Sequence, residues 1–112
     1  MAEISWEDFE KVDVRVGRVT GAEPFPEARK PSIKLTVDFG TQIGTRQTSA
    51  QLTAYYEPES LVGRQVVAVV NFPPKRIAGF KSEVLVLGVP DEVGEVVLLS
   101  PDQDVPPGGR MF

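Results

Sequence analysis

The stretch "VDVRVGRVTGAE", residues 12–23, carries the pattern that decides the fold. Val12, Val14 and Val16 alternate with polar residues, which predicts a β-strand with these three valines on one face. At Gly17 the alternation slips, and a glycine at such a slip indicates a bulge or a sharp bend. Small β-barrels need bends of this kind at their corners.

Further short strands follow, with glycine and proline between them. Alternating or continuous apolar residues predict strands in "SIKLTVDF" (32–39), "QVVAVVNF" (65–72), "SEVLVLGV" (82–89) and "GEVVLLSP" (94–101), and the polar stretch "GTRQTSAQL" (44–52) is a weaker strand candidate. The segment "LTAYYEPESLVG" (52–63) indicates a short helix between the third and fourth strands. We therefore expect an all-β fold: a five-stranded OB-type barrel with a mid-chain helix and C-terminal extension strands.

The N-terminal segment predicts one short helix. Ser5 is a good N-cap, and acidic residues fill the first turn of "WEDFEK". Trp6 and Phe9 are three residues apart, so they share one face of this helix.

The composition of the 112 residues bounds the function. The length predicts one domain, residues 1–112. The chain has no cysteine and no histidine, which excludes disulfides, thiolate metal sites and the commonest general base. The sequence indicates neither an enzyme nor a cofactor. The acidic N-terminus is unlike a signal peptide, and no apolar run reaches the roughly 20 residues of a membrane span. We expect a cytoplasmic protein with no membrane insertion.

The charge is divided unevenly along the chain, whose net charge is −4. Residues 1–23 carry three cations and six anions, residues 24–81 carry eight and four, and residues 82–112 carry one and six. The middle is therefore basic between two acidic ends. If the middle forms one face, the molecule has a positive patch despite its net charge.

Basic and apolar residues of the middle segment form the candidate binding site. They lie in two clusters and on the strand between them: Arg29, Lys30 and Lys34; Arg46; and Asn71, Phe72, Lys75, Arg76, Ile77, Phe80, Lys81 and Ser82. Such a surface suits single-stranded nucleic acid, through stacking and phosphate pairing, and equally suits a peptide. For Phe72 or Phe80 taken alone, a place in the core is favoured, whereas the loop as a whole is favoured as a binding surface.

Three stretches carry a resemblance to a known family: "KVDVRVGRV" (11–19), "PEARKPSIKLTVDFG" (26–40) and "VGRQVVAVVNFPPKRIAGFKSEVLVLG" (62–88). Over about residues 9–100 the chain resembles the free-standing tRNA-binding-domain proteins. Relatives of these proteins are appended to methionyl- and phenylalanyl-tRNA synthetases. The resemblance implies an OB barrel whose terminal segments build a symmetric homodimer. It assigns to that interface the helix at 1–11, with Ile4, Trp6 and Phe9, and the tail at 101–112 around Val105.

The resemblance also implies two functions. Members that bind tRNA use positions that match Lys30, Lys34, Asn71, Lys75, Arg76 and Ser82. The chain departs from these members at Ala28-Arg29-Lys30-Pro31 and at Ser82-Glu83-Val84-Leu85. Both departures resemble the export-related chaperone branch, which is implied to bind unfolded preproteins or peptides and components of the export machinery. The chaperone is therefore the first hypothesis, and a structure-specific tRNA-binding protein is the alternative.

Overall fold

A computed structural model describes residues 1–112. In chain order its elements are α1 Trp6–Glu10, β1 Val14–Pro24, β2 Ile33–Asp38, α2 Gly40–Ile43, β3 Thr45–Ala50, α3 Pro58–Leu61, β4 Gln65–Val69, β5 Lys75–Ile77, β6 Phe80–Ser82, β7 Leu85–Val86, β8 Gly88–Pro90 and β9 Val96–Leu98. Five strands form one antiparallel sheet in the order β3-β2-β1-β4-β7, and β5-β6 and β8-β9 are separate hairpins. The sheet closes almost completely, which confirms the five-stranded barrel and the C-terminal extension strands.

Strand β1 is the longest and serves two neighbours. Its first half pairs with β4 and its second half with β2, so the strand must curve across the barrel. The register shifts between Val19 and Gly21, which places the bulge at Thr20 and not at Gly17, where the sequence indicated it. Gly17 has a different role: a Cβ there would lie 2.5 Å from Val37 and 2.7 Å from the Phe39 ring.

The barrel core is built chiefly from β2 and β4. Ile33, Leu35, Val37 and Phe39 are all buried, as the alternation in "SIKLTVDF" predicts. On β1 the three valines predicted to share one face differ in burial: Val14 is buried, Val16 is half-buried and Val12 is 43% exposed. On the other face Val19 is buried in the core, and Gly17 lies against Val37 and Phe39, where a side chain would not fit.

The connections follow the predicted order. Ser5 caps α1 through a hydrogen bond from the Asp8 N–H, and the Asp8 carboxylate accepts from the Ser5 N–H. The mid-chain helix α3 lies between β3 and β4, and its Leu61 is fully buried in the core. None of the helices has the length and apolar character that crossing a lipid bilayer requires.

The C-terminal tail, residues 101–112, runs back along β1. Backbone hydrogen bonds join Gly108 and Gly109 to Val16, and Met111 to Val14. The Gln65 side chain fixes the start of this path, since its amide donates to the Val105 carbonyl and accepts from the Val105 N–H. The tail is therefore an extended piece that covers the free edge of β1.

Candidate ligand-binding groove

A groove of about 760 Å³ opens on one side of the barrel. Its walls come from the β1–β2 loop, the end of β3, the chain that leads from β4 into β5, and β7. The main apolar lining residues are Leu52, Phe72, Ile77, Leu85, Val86 and Val96. Basic residues Arg29, Lys30 and Lys75 line it as well.

Phe72 and Leu85 supply the accessible apolar surface of this groove. Phe72 is 53% exposed and Leu85 is 50% exposed. The expectation that Phe72 belongs to the core is therefore wrong. Phe72 lies three residues after the end of β4 and directly before Pro73 and Pro74, which restrict the backbone. The ring therefore lines the groove and is not part of the barrel core.

The cations fall into two sets. Four of the twelve, Lys11, Arg15, Arg18 and Arg110, form ion pairs with carboxylates of the same chain. The other eight have no carboxylate within ion-pair distance: Arg29, Lys30, Lys34, Arg46, Arg64, Lys75, Arg76 and Lys81. All eight lie between residues 24 and 81, and seven of them are the predicted site cations. Because these charges are not balanced within the fold, this region attracts anionic groups.

Lys34 is held between two aromatic rings beside the groove. Its Nζ lies 4.6 Å from the centre of the Phe25 ring and 4.9 Å from that of the Phe80 ring. The two rings contact each other edge to face at 5.4 Å. Phe80 is half-buried in this cluster and lies outside the core, so the expectation of a core position was wrong for it too. Lys34 and Phe80 line a second, smaller depression of about 370 Å³.

Ser82 and Glu83 are fixed by the neighbouring strand β3. Ser82 Oγ lies 2.9 Å from Thr48 Oγ1 and accepts the Ser49 N–H at 3.2 Å. The Glu83 carboxylate accepts the Gln47 N–H at 3.1 Å, and the Glu83 N–H donates to the Gln47 carbonyl. Glu83 lines the groove. Its carboxylate ties this residue to β3 and is not paired with a groove cation.

Asn71 is placed away from the groove. Its amide oxygen accepts the Asp13 N–H at 3.0 Å, and its amide nitrogen donates to the Lys11 carbonyl at 2.7 Å. The side chain thus joins the end of β4 to the segment before β1. Arg46, on β3, and Arg76 and Lys81, on the hairpin, also lie outside the groove lining.

The segment after Pro74 is a β-hairpin, although the sequence indicated only a loop. Strands β5 and β6 pair from Lys75–Ser82 to Ile77–Phe80. The turn has positive φ at both central residues, 48° at Ala78 and 81° at Gly79. Such a turn matches the twist of a two-residue hairpin, and glycine adopts it without steric cost. Ala78 is the one non-glycine residue of the chain with a positive φ.

Several lining residues were missed from the sequence. Ser49–Leu52, Val84, Val86 and Val96 line the groove, yet each reads as an ordinary strand or connector residue. β3 and β7 are the two edge strands of the sheet and share no ladder of backbone hydrogen bonds, so a seam remains between them and the groove lies along it. At the junction itself, the Thr48 hydroxyl donates to the Val84 carbonyl at 2.6 Å. Only the strand pairing reveals this seam.

At the opposite end of β1, charged side chains satisfy one another. Asp13 accepts two hydrogen bonds from Arg15, at 2.6 and 3.2 Å, and lies 3.6 Å from Arg110. Arg15 also donates to the Gly108 carbonyl, and Arg110 to the Glu10 carbonyl. The hydrogen bond from Arg15 lowers the pKa of Asp13, and the same bond raises the pKa of Arg15. We call this cluster the Asp13 clasp.

The predicted interface residues have different environments. Ile4 and Trp6 are 69% and 67% exposed, and the Trp6 and Phe9 rings lie 5.5 Å apart on one side of α1. Phe9 is half-buried. Val105 is also half-buried, with both backbone groups bonded to Gln65 of its own chain.

Residues 14–110 match the family model described as "Putative tRNA binding domain". With this barrel and this coverage, the chain belongs to the tRNA-binding-domain family. Within that family it is CsaA-like. It is 57% identical to the chaperone CsaA of Bacillus anthracis str. Ames, with a TM-score of 0.92 over 99% of this chain and 100% of that one. The CsaA chaperone protein of Picrophilus torridus is 46% identical, with a TM-score of 0.91 over 98% and 100%.

The curated relatives are much longer proteins. The methionine–tRNA ligase of Methanocaldococcus jannaschii is 38% identical over 111 residues, which are 99% of this chain and 17% of the ligase. Methionine–tRNA ligase 1 of Sorangium cellulosum is 44% identical over 97% of this chain and 15% of that protein. The chain thus spans less than a fifth of the length of the curated relatives it matches.

Proposed function

We propose that the protein is a homodimeric, export-related chaperone of the CsaA type. It holds unfolded preproteins or peptides in the groove without catalysis and without a cofactor, and it meets components of the export machinery. Preproteins are met before export, so the proposal includes a cytoplasmic location. The observation that carries the proposal is the groove itself, which combines exposed apolar side chains with cations that have no partner in the fold.

The shape of the groove suits an extended peptide. Its volume of about 760 Å³ accommodates a few side chains, and its openness to one side admits a chain of any length. Phe72 and Leu85 offer apolar contacts to side chains that a folded protein buries. Pro73 and Pro74 hold Phe72 in place before binding, so little conformational entropy is lost when a peptide docks. These properties favour weak binding that tolerates many sequences.

The exposed face of α1 supports the homodimer. Ile4 and Trp6 are apolar and largely exposed. Met111 and Phe112 are also exposed, and they follow Arg110, which is bonded to the Glu10 carbonyl near the end of α1. A two-fold contact would bury this face against its own copy. Val105, already half-buried against Gln65, adds less to such a contact than the sequence implied.

The test is fluorescence anisotropy with a labelled, unfolded secretory precursor. Phe72→Ser removes an exposed apolar contact from the groove, so we expect about a tenfold weaker affinity with unchanged folding. Val93→Ser is the matched control, because Val93 is 77% exposed and lies outside the groove. Equal affinity of the Phe72 variant and wild type would contradict the proposal.

The unpaired cations favour tRNA binding as a second candidate function. Seven of them lie in or beside the groove region, and phosphates would supply the missing anions. For tRNA, the logarithm of the affinity should fall with the logarithm of salt by roughly 0.7–0.9 for each phosphate neutralised. Anisotropy of labelled total tRNA at two salt concentrations, with the unfolded precursor as competitor, separates the candidates. If tRNA binds in a salt-sensitive way and with higher affinity than the unfolded precursor, RNA is the primary ligand.

A further inference from the structure

We propose that the groove selects extended apolar segments that carry acidic side chains on their flanks. This inference rests on the proposed peptide function and names the chemistry of the preferred peptide. The occupant is thus one kind of partner: a stretch of a few apolar residues bordered by Asp or Glu. Charge complementarity between this peptide and the groove carries the inference.

The positive charge of the groove comes from two separate parts of the chain. Arg29 and Lys30 line it from the β1–β2 loop, and Lys75 lines it from the start of β5. None of the three has a carboxylate within ion-pair distance. A peptide in the groove therefore meets cations contributed by two walls, while its apolar side chains meet Phe72 and Leu85.

The one carboxylate of the groove does not cancel this charge. Glu83 lines the groove, but its carboxylate oxygen accepts the Gln47 N–H at 3.1 Å. This hydrogen bond ties Glu83 to β3, and no groove cation is paired with it. The local field is therefore set by Arg29, Lys30 and Lys75, and it favours anions.

The net charge of the whole chain makes the opposite prediction. At −4, the molecule as a whole would attract basic peptides. Interactions beyond about 8–10 Å are largely screened at physiological ionic strength. The charges within that distance of a bound peptide determine which peptides are attracted. The local cations therefore outweigh the acidic ends of the chain.

The experiment uses three fluorescent peptides with one shared apolar core of four residues. Their flanks are Asp/Glu, Ser/Gln or Lys/Arg. Exposed ion pairs are individually weak, so three of them together should give about a tenfold preference for acidic over basic flanks. High salt should reduce this preference and leave the affinity of the neutral peptide nearly unchanged.

The variant Arg29→Ser/Lys30→Ser/Lys75→Ser should lose the preference while still binding the neutral peptide. Arg64→Ser is the matched control, since Arg64 also lacks a carboxylate partner but lies over the Tyr56 ring outside the groove. It should keep the full preference. Both variants change charges on exposed side chains, and circular dichroism confirms that each is folded.

Every other outcome overturns the inference. Equal binding of all three peptides, or a preference for basic flanks, rejects the acidic selectivity while the peptide function stands. Binding of none of the peptides, with labelled tRNA bound instead, rejects the peptide function as well. A peptide affinity that rises only on dilution of the protein would show that a second copy of the chain occupies the groove.

Discussion

The Asp13 clasp and the groove use the same residue types in opposite ways. In the clasp, Arg15 and Arg110 surround one carboxylate, and their guanidinium groups also bond backbone carbonyls. In the groove, Arg29 and Lys75 have no carboxylate partner. The clasp fixes the tail on β1, whereas the groove leaves its charge available. The role of an arginine, structural or ligand-binding, can therefore be assigned only when its neighbours in the fold are known.

The largest expected effect comes from breaking the clasp. Arg15→Ala removes three side-chain hydrogen bonds and leaves the half-buried Asp13 with Arg110 alone. We expect the free energy of unfolding to fall by about 3 kcal/mol. Lys75→Ala, as the groove counterpart, should change it by less than about 0.5 kcal/mol. Urea unfolding measures both, and equal losses would contradict the contrast between the two regions.

A second prediction concerns the core face of β1 between these regions. Gly17→Ala puts a Cβ within 2.5 Å of Val37 and 2.7 Å of the Phe39 ring. Overpacking of this kind typically costs about 1–3 kcal/mol. Gly21→Ala is the control, because its Cβ would lie 3.5 Å from Thr36, an ordinary contact distance. Equal unfolding temperatures of Gly17→Ala and Gly21→Ala would contradict the close approach of Val37 and Phe39 to Gly17.

A third prediction uses the titration of the clasp. The hydrogen bond from Arg15 lowers the pKa of Asp13 below its ordinary value of 3.8. A lowered pKa in the folded state gives stability that is present above the unfolded pKa and lost as the pH falls through the folded pKa. We expect the unfolding free energy of wild type to fall more steeply with acid than that of Asp13→Asn. Parallel curves below about pH 4 would contradict the clasp.

The smallest effect is expected at an exposed pair outside both regions. The Tyr55 hydroxyl donates to the Asp91 carboxylate, and this hydrogen bond raises the pKa of Tyr55. Tyr55→Phe should leave the stability nearly unchanged, because exposed hydrogen-bonded pairs contribute little. The chain has two tyrosines, so an absorbance titration should show a late-ionising component that this variant lacks. A late component that persists in Tyr55→Phe would assign it to Tyr56.

The strands were predictable because their apolar periodicity is local. "SIKLTVDF" shows one buried side chain at every second position, and the structure buries all four. On β1 the same rule placed Val12, Val14 and Val16 on one face, but it could not show that Gly17 lies against the Phe39 ring, since glycine carries no hydrophobic signal. Periodicity detects side chains that fill the core and cannot detect a glycine that makes room for one.

The candidate site was predictable in part for a related reason. Clustering in the sequence indicated Arg29, Lys30 and Lys75 as site residues, and in the structure all three line one groove. Clustering could not show that Asn71 is bonded to the chain before β1, nor that Val96 reaches the groove from the β8-β9 hairpin. Those facts depend on contacts between residues far apart in the sequence, such as the 58 positions that separate Asp13 from Asn71.

The most direct test of the groove is a residue-by-residue map of amide chemical shifts during titration with the acidic-flanked peptide. We predict shifts at Ser49–Leu52, Phe72, Lys75 and Val84–Val86, while the amides of the Asp13 clasp stay unchanged. Shifts concentrated at the clasp and on α1, with the groove amides unmoved, would contradict the account.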